Sequence, residues 1–162
     1  MITITDNNNV FKDKRGLVGS FYHLKLDERY PNIRFVEDRF SISRYGCIRG
    51  FHADSKTNKL LICLYGNIKL ISWDIENKIK EEIFLVGPDK IVFIPKNHLL
   101  AHQCISNNCV LVYKWSHLYG GPDKQYTVRY DDPTINANWV DIPPVLSKRD
   151  SEAQFLDEIF SP

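Results

Sequence analysis

The chain has 162 residues, 43% hydrophobic and 25% charged, with 21 Lys and Arg against 20 Asp and Glu and a net charge of +1. That length predicts one domain over residues 1–162, with a core large enough to fold without a metal or a disulfide. The even charge argues against a dedicated nucleic-acid or anionic-membrane binder, which carries a basic excess, but leaves room for a local pocket that takes a phosphorylated ligand.

The N-terminus, Met1-Ile2-Thr3-Ile4-Thr5, has neither the basic start nor the apolar stretch of a secretory signal. No apolar run approaches the ~20 residues that span a bilayer. A cytoplasmic protein with no membrane partner is expected. Phe35–Ser43 alternates, with Val36, Phe40 and Ile42 on one face and Asp38 among them. Asn67–Leu70 alternates and then changes phase at Ile71-Ser72-Trp73, which predicts a bulge. Lys90–Ile94, Cys109–Trp115 and Gln125–Tyr130 are further short strands. Turn signals separate them: Tyr65-Gly66-Asn67, Gly87-Pro88-Asp89, Ser106-Asn107-Asn108 and Gly120-Gly121-Pro122-Asp123. Residues 151–160 carry the main helical pattern, with Asp150 or Ser151 as the expected N-cap. The pattern predicts an all-β sandwich of jelly-roll type with a short C-terminal helix. Cys47, Cys63, Cys104 and Cys109 form no C-x-x-C pair and are expected as free thiols packed like small hydrophobes.

One segment does not suit a plain sandwich. Arg49-Gly50-Phe51-His52-Ala53-Asp54-Ser55-Lys56-Thr57-Asn58-Lys59 crowds ionisable groups between two apolar strands. A solvated loop is the plain reading. Tyr113 lies on the Leu111 and Trp115 face of an apolar strand, where its hydroxyl needs a partner, and His102 and Asp150 stand apart. Together these residues are an inventory for acid–base work beside a ketone. Such a carbon acid needs a base and a stabilised enolate oxygen. His supplies the base near neutral pH, a carboxylate fixes its tautomer, Tyr returns a proton, and Arg or Lys holds the negative charge.

The motifs resemble those of the dTDP-4-dehydrorhamnose 3,5-epimerase family along nearly the whole chain. The R-G-x-H segment stands at Arg49-Gly50-Phe51-His52, followed by Lys59-Leu60. Phe11-Lys12-Asp13-Lys14-Arg15-Gly16 is similar to the family's F-x-D-x-R-G, and Phe35-Val36-Glu37-Asp38 to its F-V-Q-D. Ile94-Pro95, Ala101-His102 and Val112-Tyr113-Lys114 fall in order. So do Asp132-Pro133, Ile135, Trp139 and the closing Leu146-Ser147-Lys148-Arg149-Asp150. The resemblance implies a cupin-type jelly roll and a homodimer that exchanges N-terminal strands. It also implies epimerisation of a nucleotide-diphosphate-linked 4-keto sugar without metal or other cofactor. His52 would be the base, Asp150 its carboxylate, and Tyr113 the proton donor. Lys59 and Arg49 would line the sugar and hold the enolate, and Arg15 would reach the nucleotide across the interface. Glu37, His102 and Tyr119 complete the implied substrate-binding set.

Two departures bear on the substrate. His52-Ala53-Asp54 replaces the usual H-x-Q, and Glu37 replaces Gln. The run from His52 to Leu60 looks closer to a branch that acts on GDP-linked 4-keto heptoses in bacterial capsule synthesis. That leaves the nucleotide open, as well as whether C3, C5 or both are inverted. Metal-binding cupins use H-x-H, a following Glu and a later His. Only His52 and His102 correspond here, too few for a stable site. Two alternatives remain: a sugar 3,4-ketoisomerase on the same fold, and a non-catalytic sugar-nucleotide binding protein.

Overall fold

The computed structural model describes residues 1–22 and 28–160. Among these the strands are β1 (Thr3–Asp6), β2 (Val10–Asp13), β3 (Gly16–Gly19), β4 (Glu37–Arg44), β5 (Ile48–Ala53) and β6 (Lys59–Tyr65). They continue as β7 (Asn67–Asp74), β8 (Ile79–Val86), β9 (Lys90–Ile94), β10 (His98–Cys104), β11 (Asn108–Trp115) and β12 (Tyr126–Thr127). One antiparallel sheet has the order β1-β9-β6-β11-β4, a second has β12-β5-β10-β7-β8, and β2 and β3 form a separate hairpin. From β4 onward every connection crosses between the two large sheets except the β7–β8 hairpin. This is the expected cupin-type jelly roll.

Between the sheets, Leu61, Cys63, Ile68, Leu70, Val92, Ile94 and Leu111 pack as the central core. Both outer faces are partly covered as well. Leu60, Ile62, Ile91 and Phe93 on the outside of the first sheet pack under Phe21, Tyr22, Tyr30, Ile33 and Phe35. Ile71, Trp73, Leu99 and Ala101 on the outside of the second pack under Ile135, Trp139, Leu156 and Ile159. Double burial explains why β6 and β9 read as continuous apolar runs rather than alternating ones.

It also corrects the phase change at Ile71. β7 pairs with β8 and with β10 without interruption from one end to the other, so there is no bulge there. Ile68 and Leu70 point into the core and Ile71 and Trp73 point out under the C-terminal tail; both phases are apolar because both faces are buried. The C-terminal helix is also differently built. It is two single turns, α1 (Lys148–Ser151) and α2 (Leu156–Ile159), and the N-cap of α1 is Ser147, whose hydroxyl accepts from the Asp150 N–H. Asp150 is therefore inside α1 and its carboxylate is free for another use. The four cysteines are free thiols, with Cys63, Cys104 and Cys109 buried and Cys47 half-buried. Among the described residues no helix is long and apolar enough to cross a membrane.

Candidate active site

A real bulge sits where the chemistry is. His52 pairs with Leu100 and Arg49 with His102, so three steps along β5 match two along β10. In a regular strand Arg49 and His52 would face opposite ways. The extra residue restores them to one side, and both line the same cavity. Gly50 makes this bend feasible. Its φ is +121°, and a Cβ there would lie 2.4 Å from the Leu100 carbonyl oxygen. The R-G-x-H spacing is thus a backbone device that delivers two polar side chains to one wall.

The cavity, of about 330 Å³, opens between the two sheets. Arg49, His52, Leu100 and His102 come from the second sheet, and Arg39, Lys59, Tyr113 and Trp115 from the first. Tyr119, Gln125, Ser147, Arg149 and Asp150 close the rim. Three guanidinium groups and Lys59 thus face the single carboxylate of Asp150 among the lining residues. The cavity suits an anionic ligand.

His52 and Asp150 form a tight pair, with Nε2 and Oδ1 2.7 Å apart. The other carboxylate oxygen, Oδ2, accepts from the Ser147 hydroxyl at 2.8 Å. Burial raises the Asp150 carboxyl, but the hydrogen bond and charge of His52, the Ser147 hydroxyl and Arg149 outweigh it and hold it below its ordinary value. An ionised carboxylate only accepts, so Nε2 carries the proton and Nδ1 is left as the basic nitrogen.

On the opposite sheet, burial pushes the Tyr113 hydroxyl up to about 12, tempered by Ser41 and Arg49, so it stays protonated. Lys59 is 4% exposed. Burial lowers its ammonium below the usual value, opposed by the charge of Asp54. Its Nζ lies 5.3 Å from the centre of the Trp115 ring. His102 is 2% exposed. Burial, then Arg49 and His52, push it down to about 3, which keeps it neutral. Its Nε2 has no hydrogen-bond partner among the described residues. A buried neutral imidazole with a free nitrogen is a ready contact for a polar ligand atom. Arg49 is steadied by Ser43, whose hydroxyl accepts from Nε at 3.0 Å.

Seven of the nine expected residues therefore line one cavity. Glu37 and Arg15 do not. Glu37 stands behind the wall: one oxygen accepts from Arg39 Nη1 at 2.9 Å and the other from the Tyr119 N–H at 2.6 Å. It holds the Arg39 guanidinium 4.0 Å over the Tyr119 ring and 5.0 Å over that of Trp115. Arg15 is on the exposed β2–β3 hairpin, forked onto Asp13 with Nη2 2.6 Å from Oδ2. Arg39, Trp115, Gln125, Ser147 and Arg149 were not singled out by the sequence. Arg39 had one signal, its place on β4 opposite the apolar face; Ser147 and Arg149 had theirs in adjacency to Asp150.

The family model for dTDP-4-dehydrorhamnose 3,5-epimerase matches residues 2–158. The enzyme of that name from Shigella flexneri is 26% identical over 160 residues, 91% of this chain and 88% of its own. The one from Methanothermobacter thermautotrophicus is 27% identical over 139 residues, 80% of this chain and 75% of its own. The crystal structure of dTDP-6-deoxy-D-glucose-3,5-epimerase from Legionella pneumophila, in complex with dTDP-4-keto-L-rhamnose, superposes with a TM-score of 0.86 at 24% identity, over 99% of this chain and 96% of that one. With the family match running almost from end to end, the chain belongs to the dTDP-4-dehydrorhamnose 3,5-epimerases, a family of isomerases.

Proposed function

We propose that this chain inverts C3, C5 or both in a nucleotide-diphosphate-linked 4-keto sugar by removing and replacing an α-proton. One observation carries the reading. A carboxylate-held imidazole stands on one sheet, and a protonated tyrosine and the buried Lys59 stand on the sheet that faces it. Nδ1 of His52 takes the proton beside the ketone. The C–H electron pair moves toward the carbonyl, whose oxygen becomes an enolate held by Lys59 and Arg49. The Tyr113 hydroxyl delivers a proton from the opposite side, which inverts the centre. His102 contacts the sugar through its free Nε2. Arg39, stacked on Tyr119, meets the diphosphate.

The chain works as a homodimer in this reading. Phe11 on the hairpin is 71% exposed, as are Phe40 and Ile42 on the outside of β4 at 74% and 61%. A second copy covers these side chains, and its hairpin carries Arg15 toward the nucleotide.

The test is incubation with dTDP-linked 4-keto-6-deoxyhexose and GDP-linked 4-keto-heptose in D₂O, followed by mass shift and NMR of the sugar. Deuterium enters at C3, C5 or both, and the substrate that exchanges faster names the nucleotide. His52→Ala loses exchange by ~10²–10⁴-fold, whereas Tyr113→Phe retains wash-in at the starting configuration and loses inversion. No deuterium in either substrate, or near-normal exchange in His52→Ala, would overturn the assignment.

A further inference from the structure

The carboxylate that orients His52 sits on an element too short to stand alone. α1 is one turn, Lys148–Ser151, and a single turn has no stability of its own in water. Whatever places Asp150 to within hydrogen-bond reach of His52 must come from outside the turn. Val145, bridged to Cys47, anchors the approach to the turn, and the residue before Asp150 makes a second connection from within the turn itself. Arg149 Nε donates to the Thr127 hydroxyl at 2.9 Å and Nη2 to the same oxygen at 2.5 Å. Nη1 lies 3.5 Å from Gln125 Oε1, and Nη2 3.3 Å from the Pro122 carbonyl oxygen.

The register gives this contact its meaning. Thr127 on β12 is paired directly with His52 on β5. Consecutive residues of α1 therefore grip consecutive strands at one level: Asp150 takes His52 and Arg149 takes its cross-strand neighbour. The loop closes through backbone pairing on one side and the helical turn on the other. It also ties α1 to β12, a two-residue edge strand whose pairing with β5 continues through Val128 and Phe51.

The partners of Arg149 in this contact are neutral oxygens, so the rigid fork of the guanidinium is what the geometry exploits. We propose that Arg149 is a positioning residue, which clips α1 to Thr127 and so holds Asp150 on the His52 imidazole. The kinetic arm of its test rests on the epimerase reading; the spectroscopic arm does not.

Arg149 also lines the cavity, so a role through Asp150 must be separated from direct contact with ligand. Thr127 is not among the lining residues, and Thr127→Val removes the acceptor while keeping the shape. Under the proposal, Thr127→Val lowers kcat about tenfold with KM within about twofold, and Arg149→Met lowers kcat about 10–100-fold. The double variant is no slower than Arg149→Met alone, because both changes open the same clip. Arg149→Lys, which cannot span Thr127 and Gln125 with a planar fork, does not restore kcat.

Independently of turnover, the downfield proton NMR signal of the His52 Nε2–H, identified by its loss in Asp150→Asn, exchanges faster with solvent in Thr127→Val and in Arg149→Met. A raised KM in Arg149→Met with a silent Thr127→Val would overturn the proposal, as would an unaltered His52 signal in both. If the wild type fails to turn over any 4-keto sugar nucleotide, the epimerase reading falls, and the NMR signal still decides the clip.

Discussion

β4 and β6 flank the same strand, β11, yet bury opposite chemistries. Beyond Lys59, which faces the cavity at its first position, β6 is apolar on both faces: Leu61 and Cys63 point into the core, and Leu60 and Ile62 point out under the segment carrying Tyr22, Tyr30 and Phe35. β4 reverses the usual order. Its inward positions are Glu37, Arg39, Ser41 and Ser43, and its outward positions include the exposed Phe40 and Ile42. The reason is the cavity. Where the sheets close on each other, inward residues must be apolar; where they part to admit a ligand, inward residues must be polar and held by partners, as Arg39 is by Glu37. One sheet therefore serves stability at one side and chemistry at the other.

The sharpest way to break this contrast is to put a charge on the outside of β6. Ile62 is fully buried there, so Ile62→Glu leaves a carboxylate without a partner and costs about 4 kcal/mol or more. Urea titration should show a chain that is largely unfolded at room temperature. A variant that keeps most of its stability would mean that the outer cover is loose, and the two strands would then differ less than the packing indicates.

A smaller loss is expected at the bulge that joins the two regimes. Gly50→Ala forces a side chain into a left-handed conformation and against the Leu100 carbonyl. Strain of this kind costs on the order of 2 kcal/mol, and the shifted backbone carries Arg49 and His52 with it. Both Tm and turnover should fall together. A drop in Tm with unchanged kcat would show that the bulge serves the fold alone.

Much of the jelly roll was legible because strand length, turn residues and apolar runs are local properties. The phase change in β7 was misread because parity in one strand cannot report which outer faces a distant tail will cover. The site was legible where its residues break the apolar pattern of their own strand, as His52, Lys59 and Tyr113 do. Arg39 and Arg149 were missed for the same reason in reverse. Each sits among other polar residues, and only the fold reveals that one stacks on Tyr119 and the other reaches Thr127.

The covered outer face of the second sheet offers a test with a pH signature. Glu82 on β8 accepts from the Asn138 N–H at 3.0 Å and pairs with Lys69 and Lys80 at 2.9 and 3.0 Å, so it ties sheet to tail. Burial raises its carboxyl, but Asn138 and the two lysines hold it down to about 2, against an ordinary 4.5. A depressed carboxyl stabilises the fold above its unfolded value, and the contribution fades as pH falls through the folded one. Glu82→Gln should therefore cost on the order of 1–3 kcal/mol at pH 7, and the gap to wild type should narrow from pH 4.5 toward pH 2 in urea titrations. A gap independent of pH would place the effect in packing rather than charge.

The smallest effect on folding, and the most telling for β4, is expected from Phe40→Glu. Phe40 lies open on the outer face of the protomer, so a charge there should change protomer stability by no more than ~0.5 kcal/mol. The same charge in a dimer interface meets its own copy or an apolar partner, and should shift the mass in size-exclusion chromatography with light scattering from dimer to monomer. If Arg15 of a second copy completes the nucleotide site, KM should rise as the dimer dissociates while the His52 and Tyr113 chemistry persists at saturating substrate. An unchanged mass and KM would mean that the apolar face of β4 is covered by something other than another copy. The inversion of β4 would then be explained by the cavity on its inner side alone.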